Sequence, residues 1–95
     1  MIIFKSINKL NKYLENIDNI GFVPTMGSIH NGHSSLIKKS KKICKKTLVS
    51  IFVNPKQFNN KKDFINYPRN TKSDIIILRK LNVDYVILPT YLDIY

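Results

Sequence analysis

Both histidines of this chain, His30 and His33, lie three residues apart in the run Pro24-Thr25-Met26-Gly27-Ser28-Ile29-His30-Asn31-Gly32-His33. An apolar stretch precedes the run and a lysine-rich amphipathic one follows it. Side chains at i and i+3 share one face at a helix start. A helix N-terminus presents unpaired N–H groups and a positive dipole end, so it attracts phosphate. Two imidazoles added there can donate hydrogen bonds to phosphate oxygens and protonate a leaving group. That is equipment for handling a nucleoside triphosphate. Spacing alone leaves two other readings open, ordinary surface histidines and zinc ligands. No nearby cysteine or carboxylate completes a zinc set, so no metal site is expected.

Periodicity gives the elements that must hold this run. Residues 2–4 read as a short edge strand. Ile7, Leu10, Tyr13, Leu14 and Ile17 form a helical stripe over 6–17. Ile20 to Val23 reads as a buried strand that Pro24 ends. A second helix is expected over 33–45, with Leu36, Ile37, Ser40, Ile43 and Cys44 on its apolar side and Lys38, Lys39, Lys41, Lys42, Lys45 and Lys46 on the other. Cys44 thereby reads as core and not as a nucleophile. Thr47 to Val53 is nearly all apolar and β-prone without strict alternation, the pattern of a strand buried on both faces. Residues 55–70 read as loop with a helical turn near Asp63–Asn66. Thr71-Lys72-Ser73-Asp74 looks like a capping box opening a third helix over about 72–82. Asp84 to Leu88 is another buried strand, closed by Pro89. The β-α-β-α-β order predicts an α/β fold: a Rossmann-like parallel sheet with flanking helices, half of a doubly wound sheet. Ligands bind such sheets at the carboxyl ends of the strands. Pro24–His33 and Asn54–Phe58 both follow strands and should meet on that rim.

Composition narrows the class further. Ninety-five residues with 43% hydrophobic content make one small folded domain without an internal linker or repeat. No apolar run is long enough to span a membrane, and the first residues lack the layout of a signal peptide. The single Cys44 cannot form an internal disulfide, so a reducing cytoplasm is the expected location. The net charge of +10 comes from fourteen lysines but only two arginines, alongside fifteen isoleucines, eleven asparagines and no alanine. That bias matches A- and T-rich codons, and the lysines read as a solvated face. A nucleic-acid footprint would want arginines or exposed aromatics clustered with the lysines, so neither nucleic acid nor a membrane is an expected partner.

His30-Asn31-Gly32-His33 fits the H-x-G-H pattern of the nucleotidylyltransferase superfamily. Its surroundings are more specific. Phe22-Val23-Pro24-Thr25-Met26-Gly27, Val49 to Phe58 with Asn54-Pro55-Lys56-Gln57-Phe58, Tyr67-Pro68-Arg69, and Val83 to Pro89 together resemble the pantothenate synthetase family over essentially the whole chain. The resemblance implies a ligase of coenzyme A biosynthesis. ATP adenylates pantoate and releases pyrophosphate; β-alanine then attacks the pantoyl adenylate, giving pantothenate and AMP, with Mg²⁺ accompanying ATP. It also implies that Met26, Gly27, Ser28, Ile29, His30, Asn31, Gly32 and His33 line the ATP site. Gly27 and Gly32 would let backbone approach the nucleotide. His33 would be the proton donor and His30 its partner in stabilising phosphate charge. Gln57 would bind pantoate and β-alanine, with Pro24, Thr25 and Asn54 in the same subsite. Tyr67-Pro68-Arg69 reads as structural or interfacial.

The resemblance also implies parts that these 95 residues do not contain: a lysine-aspartate and a serine-arginine segment that clamp the phosphates, a second glutamine for pantoate, and a smaller second domain. Residues 1–95 are therefore expected to be the N-terminal part of the nucleotide-binding domain, an incomplete copy. A residual nucleotide-binding module without catalysis is the alternative. Family members are usually homodimers.

Overall fold

The structure, a computed structural model, describes residues 1–54, 56, 60–62 and 70–90. The elements run β1 (Ile2–Phe4), α1 (Ile7–Leu14), β2 (Ile20–Thr25), α2 (Asn31–Ile43), β3 (Lys46–Ile51), α3 (Thr71–Lys80) and β4 (Tyr85–Ile87). The four strands form one sheet in the order β1-β4-β3-β2, and every pairing is parallel. Parallel strands need crossovers, which place helices over both faces and leave no polar face on the inner strands. On one face Val23, Val49 and Val86 pack with Ile37 of α2, Leu78 of α3 and Val83. On the other, Leu48, Tyr85 and Ile87 pack with Leu10 of α1. The expected α/β class and parallel sheet are both present.

Local chemistry explains the ends of the elements. The hydroxyl of Ser6 accepts from the Lys9 N–H at 3.3 Å and starts α1. Tyr13 stays half-exposed on that helix, but its ring packs tilted against Phe4 and edge-to-face against Tyr85 at centroid distances of 5.4 and 5.6 Å.

Four expectations are corrected. Pro24 does not end β2: it lies inside the strand, opposite Ser50. The carbonyl of Thr25 accepts from the Phe52 N–H at 3.0 Å, so Thr25 faces β3. Its neighbour Pro24 therefore turns its missing donor toward the outer side of β2, where no ladder bond is lost. The second helix begins at Asn31, two residues before the expected start. Its buried stripe is narrower than expected, because Leu36 and Ile43 are 54% and 64% exposed; His33, Ile37, Ser40 and Cys44 form the covered line. Finally, Thr71 is not a cap. The N-cap of α3 is Asn70, without a side-chain cap bond, and Asp74 lies one turn inside the helix, where it is buried. The expected turn at Asp63–Asn66 and the Tyr67-Pro68-Arg69 segment lie outside the described residues.

A polar bond tethers α2 to the sheet: the hydroxyls of Ser40 and Thr47 lie 2.7 Å apart, with Thr47 fully buried. Thr47→Val is isosteric but leaves the Ser40 hydroxyl without this partner, so it should cost about 1–2 kcal/mol. The Ser40→Ala/Thr47→Val double variant should recover most of that loss, because both polar partners are then gone. Urea midpoints of the two variants against the parent chain measure this.

Candidate active site

Where β2 ends, Thr25 ties its own strand to the next. Its hydroxyl donates to the Ser50 carbonyl at 2.9 Å and accepts from the Gly27 N–H at 3.1 Å. Two left-handed residues follow, Gly27 at φ 87° and Ser28 at φ 52°. Successive N–H groups of such a turn can converge on one concavity, an arrangement that binds anions. Here an internal anion occupies it. The Ser28 N–H donates to Oδ2 of Asp74 and the Ile29 N–H to Oδ1, each at 2.9 Å. A Cβ on Gly27 would lie 3.1 Å from the same Oδ2. Ile29 then turns into the core beside Ile37, and His30 takes an extended backbone as the N-cap of α2.

The two histidines cap that helix with their own rings. The Gly32 N–H donates to Nδ1 of His30 at 3.0 Å, and the His30 N–H donates to Nδ1 of His33 at 3.2 Å, a reciprocal capping box built from imidazoles. A Cβ on Gly32 would lie 2.9 Å from Cε1 of His30, so this glycine makes room for the imidazole. A ring whose Nδ1 accepts a hydrogen bond carries its neutral-state proton on Nε2. Both rings therefore hold an Nε2–H donor that the cap does not use. The ring centroids are 4.0 Å apart. Burial, then the neighbouring charge of His30, push the His33 pKa below its ordinary 6.5, while Asp74 pulls the other way. Protonating His33 would also place a hydrogen on the atom that accepts from His30. Near neutral pH, His33 presents a neutral Nε2–H.

These groups open on a cleft of about 600 Å³ lined by Pro24, Thr25, Met26, Gly27, Ser28, His30, His33, Ser50, Phe52 and Asn54. The loops after β2 and β3 thus meet on the carboxyl rim, as the sequence implies. Of the expected site residues, Pro24, Thr25, Met26, Gly27, Ser28, His30, His33 and Asn54 lie on the cleft wall. Ile29 points into the core, and Asn31 and Gly32 form the first turn of α2 beside the cleft. Asn54 accepts from the Lys56 N–H at 3.0 Å, a local turn that shapes its own loop. Gln57 lies outside the described residues. Ser50 and Phe52 join the wall unanticipated, as does Asp74 behind it. Asp74 was legible in one respect: it stands four residues before the buried Leu78, on the core side of α3.

A parallel sheet with a histidine-capped helix on its carboxyl rim is the nucleotidylyltransferase-like form of the Rossmann fold. The family profile described as pantoate-beta-alanine ligase matches residues 2–95, and the chain belongs to that family. Pantothenate synthetase of Francisella philomiragia is 51% identical over 98 residues, covering 100% of this chain and 38% of the relative. That of Leptospira biflexa is 50% identical over 86 residues, covering 90% and 30%. Among solved structures, the Francisella tularensis pantoate-beta-alanine ligase complexed with beta-gamma ATP and beta-alanine superimposes with a TM-score of 0.95 at 48% identity, covering 100% of this chain and 38% of that one. The Thermus thermophilus enzyme gives 0.92 at 33%, covering 100% and 34%. The chain thus spans roughly a third of the length of the relatives it matches.

His33 should titrate below 6.5 in imidazole ¹⁵N NMR, with the neutral ring as the Nε2–H tautomer. The sign for stability follows. Between the folded pKa and 6.5 the unfolded chain binds more protons, so stability falls as pH drops through that window. His33→Gln keeps a capping acceptor but cannot titrate. It should flatten the stability-against-pH curve there, measured by urea midpoints from pH 7.5 to 5.

Proposed function

We propose that this chain supplies one wall of a pantothenate synthetase active site, the N-terminal part of its nucleotide-binding domain. The observation that carries the reading is the pair of Nε2–H donors at the start of α2, facing a cleft whose described lining contains no carboxylate. ATP would lie with its phosphates toward His30 and His33, over the stretch from Met26 to His33. Displacement at phosphorus depends chiefly on positioning and on stabilising charge as it develops, which neutral N–H donors do without proton transfer. Pantoate would attack the α-phosphorus as pyrophosphate leaves. The β-alanine amine would then attack the acyl carbon of the adenylate, and AMP would leave. Pro24, Thr25, Asn54 and Gln57 form the acid-binding side of this reading. The Thr25 hydroxyl hydrogen is committed to Ser50, so Thr25 offers a substrate only an acceptor.

Mg²⁺ enters this scheme with ATP as part of the substrate. Among the described residues no group of three His, Cys, Asp or Glu could hold a resident metal. No helix among them is long and apolar enough to cross a membrane, and Cys44 is a free thiol; a cytoplasmic location fits both. A homodimer is part of the same family-based proposal. The described cleft lining includes no lysine or arginine, which favours binding without turnover for the 95 residues by themselves.

The test combines binding and turnover. ATP should move the His30 and His33 ring signals of the 95-residue chain. A chimera in which these residues replace the matching stretch of the Francisella philomiragia relative should release AMP and pantothenate from ATP, Mg²⁺, pantoate and β-alanine. His33→Ala in that chimera should lower kcat/KM by about 10²–10³, the usual effect of removing one transition-state donor. Unmoved ring signals together with an inactive chimera would refute the proposal.

A further inference from the structure

We infer that Asp74 is a positioning residue of the nucleotide site: from α3, its buried carboxylate holds the Gly27–Ile29 turn in the shape that sets His30 and His33. The inference rests on the ATP-site reading above and adds a residue to it. Asp74 is 2% exposed, and its two oxygens accept from two successive N–H groups 45 and 46 residues away in sequence. A buried carboxylate is costly unless such donors satisfy it. Neither simpler role accounts for it. It is not the cap of its own helix, because Asn70 occupies that position and the Asp74 N–H bonds the Asn70 carbonyl. Nor does any ion pair among the described residues involve it; the pair found there is Lys46 with Asp84.

The geometry makes the turn and the carboxylate mutually dependent. Ser28 holds φ 52°, a left-handed conformation that is costly for a non-glycine residue. Two hydrogen bonds to a carboxylate offset that cost and select this conformer. From Ile29 the chain is one residue from His30, whose extended backbone starts α2 and whose N–H seats the His33 ring. A slackened turn would release the N-cap, and with it both imidazole orientations. Because Asp74 already uses the Ser28 and Ile29 donors, those two amides are not offered to phosphate, and the site depends the more on the aim of the two Nε2–H groups.

Asp74→Asn replaces one acceptor with an amide NH₂ that faces an N–H, keeping the side-chain volume. In the 95-residue chain it should shift both imidazole ¹⁵N signals and weaken ATP binding at least tenfold. Leu10→Ala, a truncation in the separate core on the other face of the sheet, serves as the control for lost stability. It should leave the ring signals in place and ATP affinity within twofold. Parent-like ring signals and affinity in Asp74→Asn would overturn the inference while leaving the ATP reading intact. If ATP moves no signal in the parent chain and the chimera is inactive, the ATP reading fails and the imidazole signals alone decide the role of Asp74. If Asp74→Asn does not fold, amide exchange in the parent decides. Slowed exchange at Ser28 and Ile29 supports the contact, and exchange at the rate of unprotected amides overturns it.

Discussion

Parallel pairing of β2 with β3 is the constraint on which the site depends. The register sets Pro24 opposite Ser50 and Thr25 opposite Ile51, so both strands end at one level and their loops leave the sheet side by side. Thr25 fixes that junction with a side-chain bond across to Ser50 and a second back to Gly27. A register slip of one residue would exchange the faces of every side chain, burying Phe22 and exposing Val23. It would also carry the Thr25 hydroxyl away from the turn it stabilises. The cleft is thus a consequence of strand register before it is a collection of functional residues.

The strands and helices were legible because their signals are local. Apolar β-prone runs, two helical stripes and the helix-start pattern at Thr71–Asp74 place every element within a few residues of its observed bounds, and the crossovers leave only a parallel sheet. The misreadings share a cause: each involves a residue whose partner is distant in sequence. Pro24 reads as a terminator until the sheet order shows that its strand is outermost. Leu36 and Ile43 fit the 3.6-residue period, but α2 presents only its His33–Ile37–Ser40–Cys44 line to the sheet. Asp74, three residues past Thr71, imitates a capping box, yet its partners are Ser28 and Ile29. The site follows the same rule: the spacing of His30 and His33 identifies the pair, whereas the internal carboxylate behind the turn is visible only in three dimensions.

The H-x-G-H run also gains a physical meaning beyond its two side chains. The glycine clears space for the His30 ring, whose Nδ1 then accepts the glycine's own N–H. The second histidine accepts from the first residue's N–H. Each ring thereby satisfies a donor that a helix start would otherwise leave unpaired. The helix begins where the imidazoles are, and the imidazoles are oriented because the helix begins there.

That reciprocity determines which chemistry the pair can perform. A proton on Nδ1 of either ring would set a donor against a donor, so the cap and the imidazolium forms compete. Burial and the proximity of a second imidazole act in the same direction on His33. The arrangement therefore favours a neutral His33 that donates from Nε2 and disfavours a stored proton on it awaiting transfer. Substrate phosphate would add negative charge beside His33 and raise its pKa, shifting this balance only when ligand is bound. On the proposed reading, charge stabilisation would thus be built into the resting site, and acid catalysis would become available only to the extent that the substrate itself overcomes the cap.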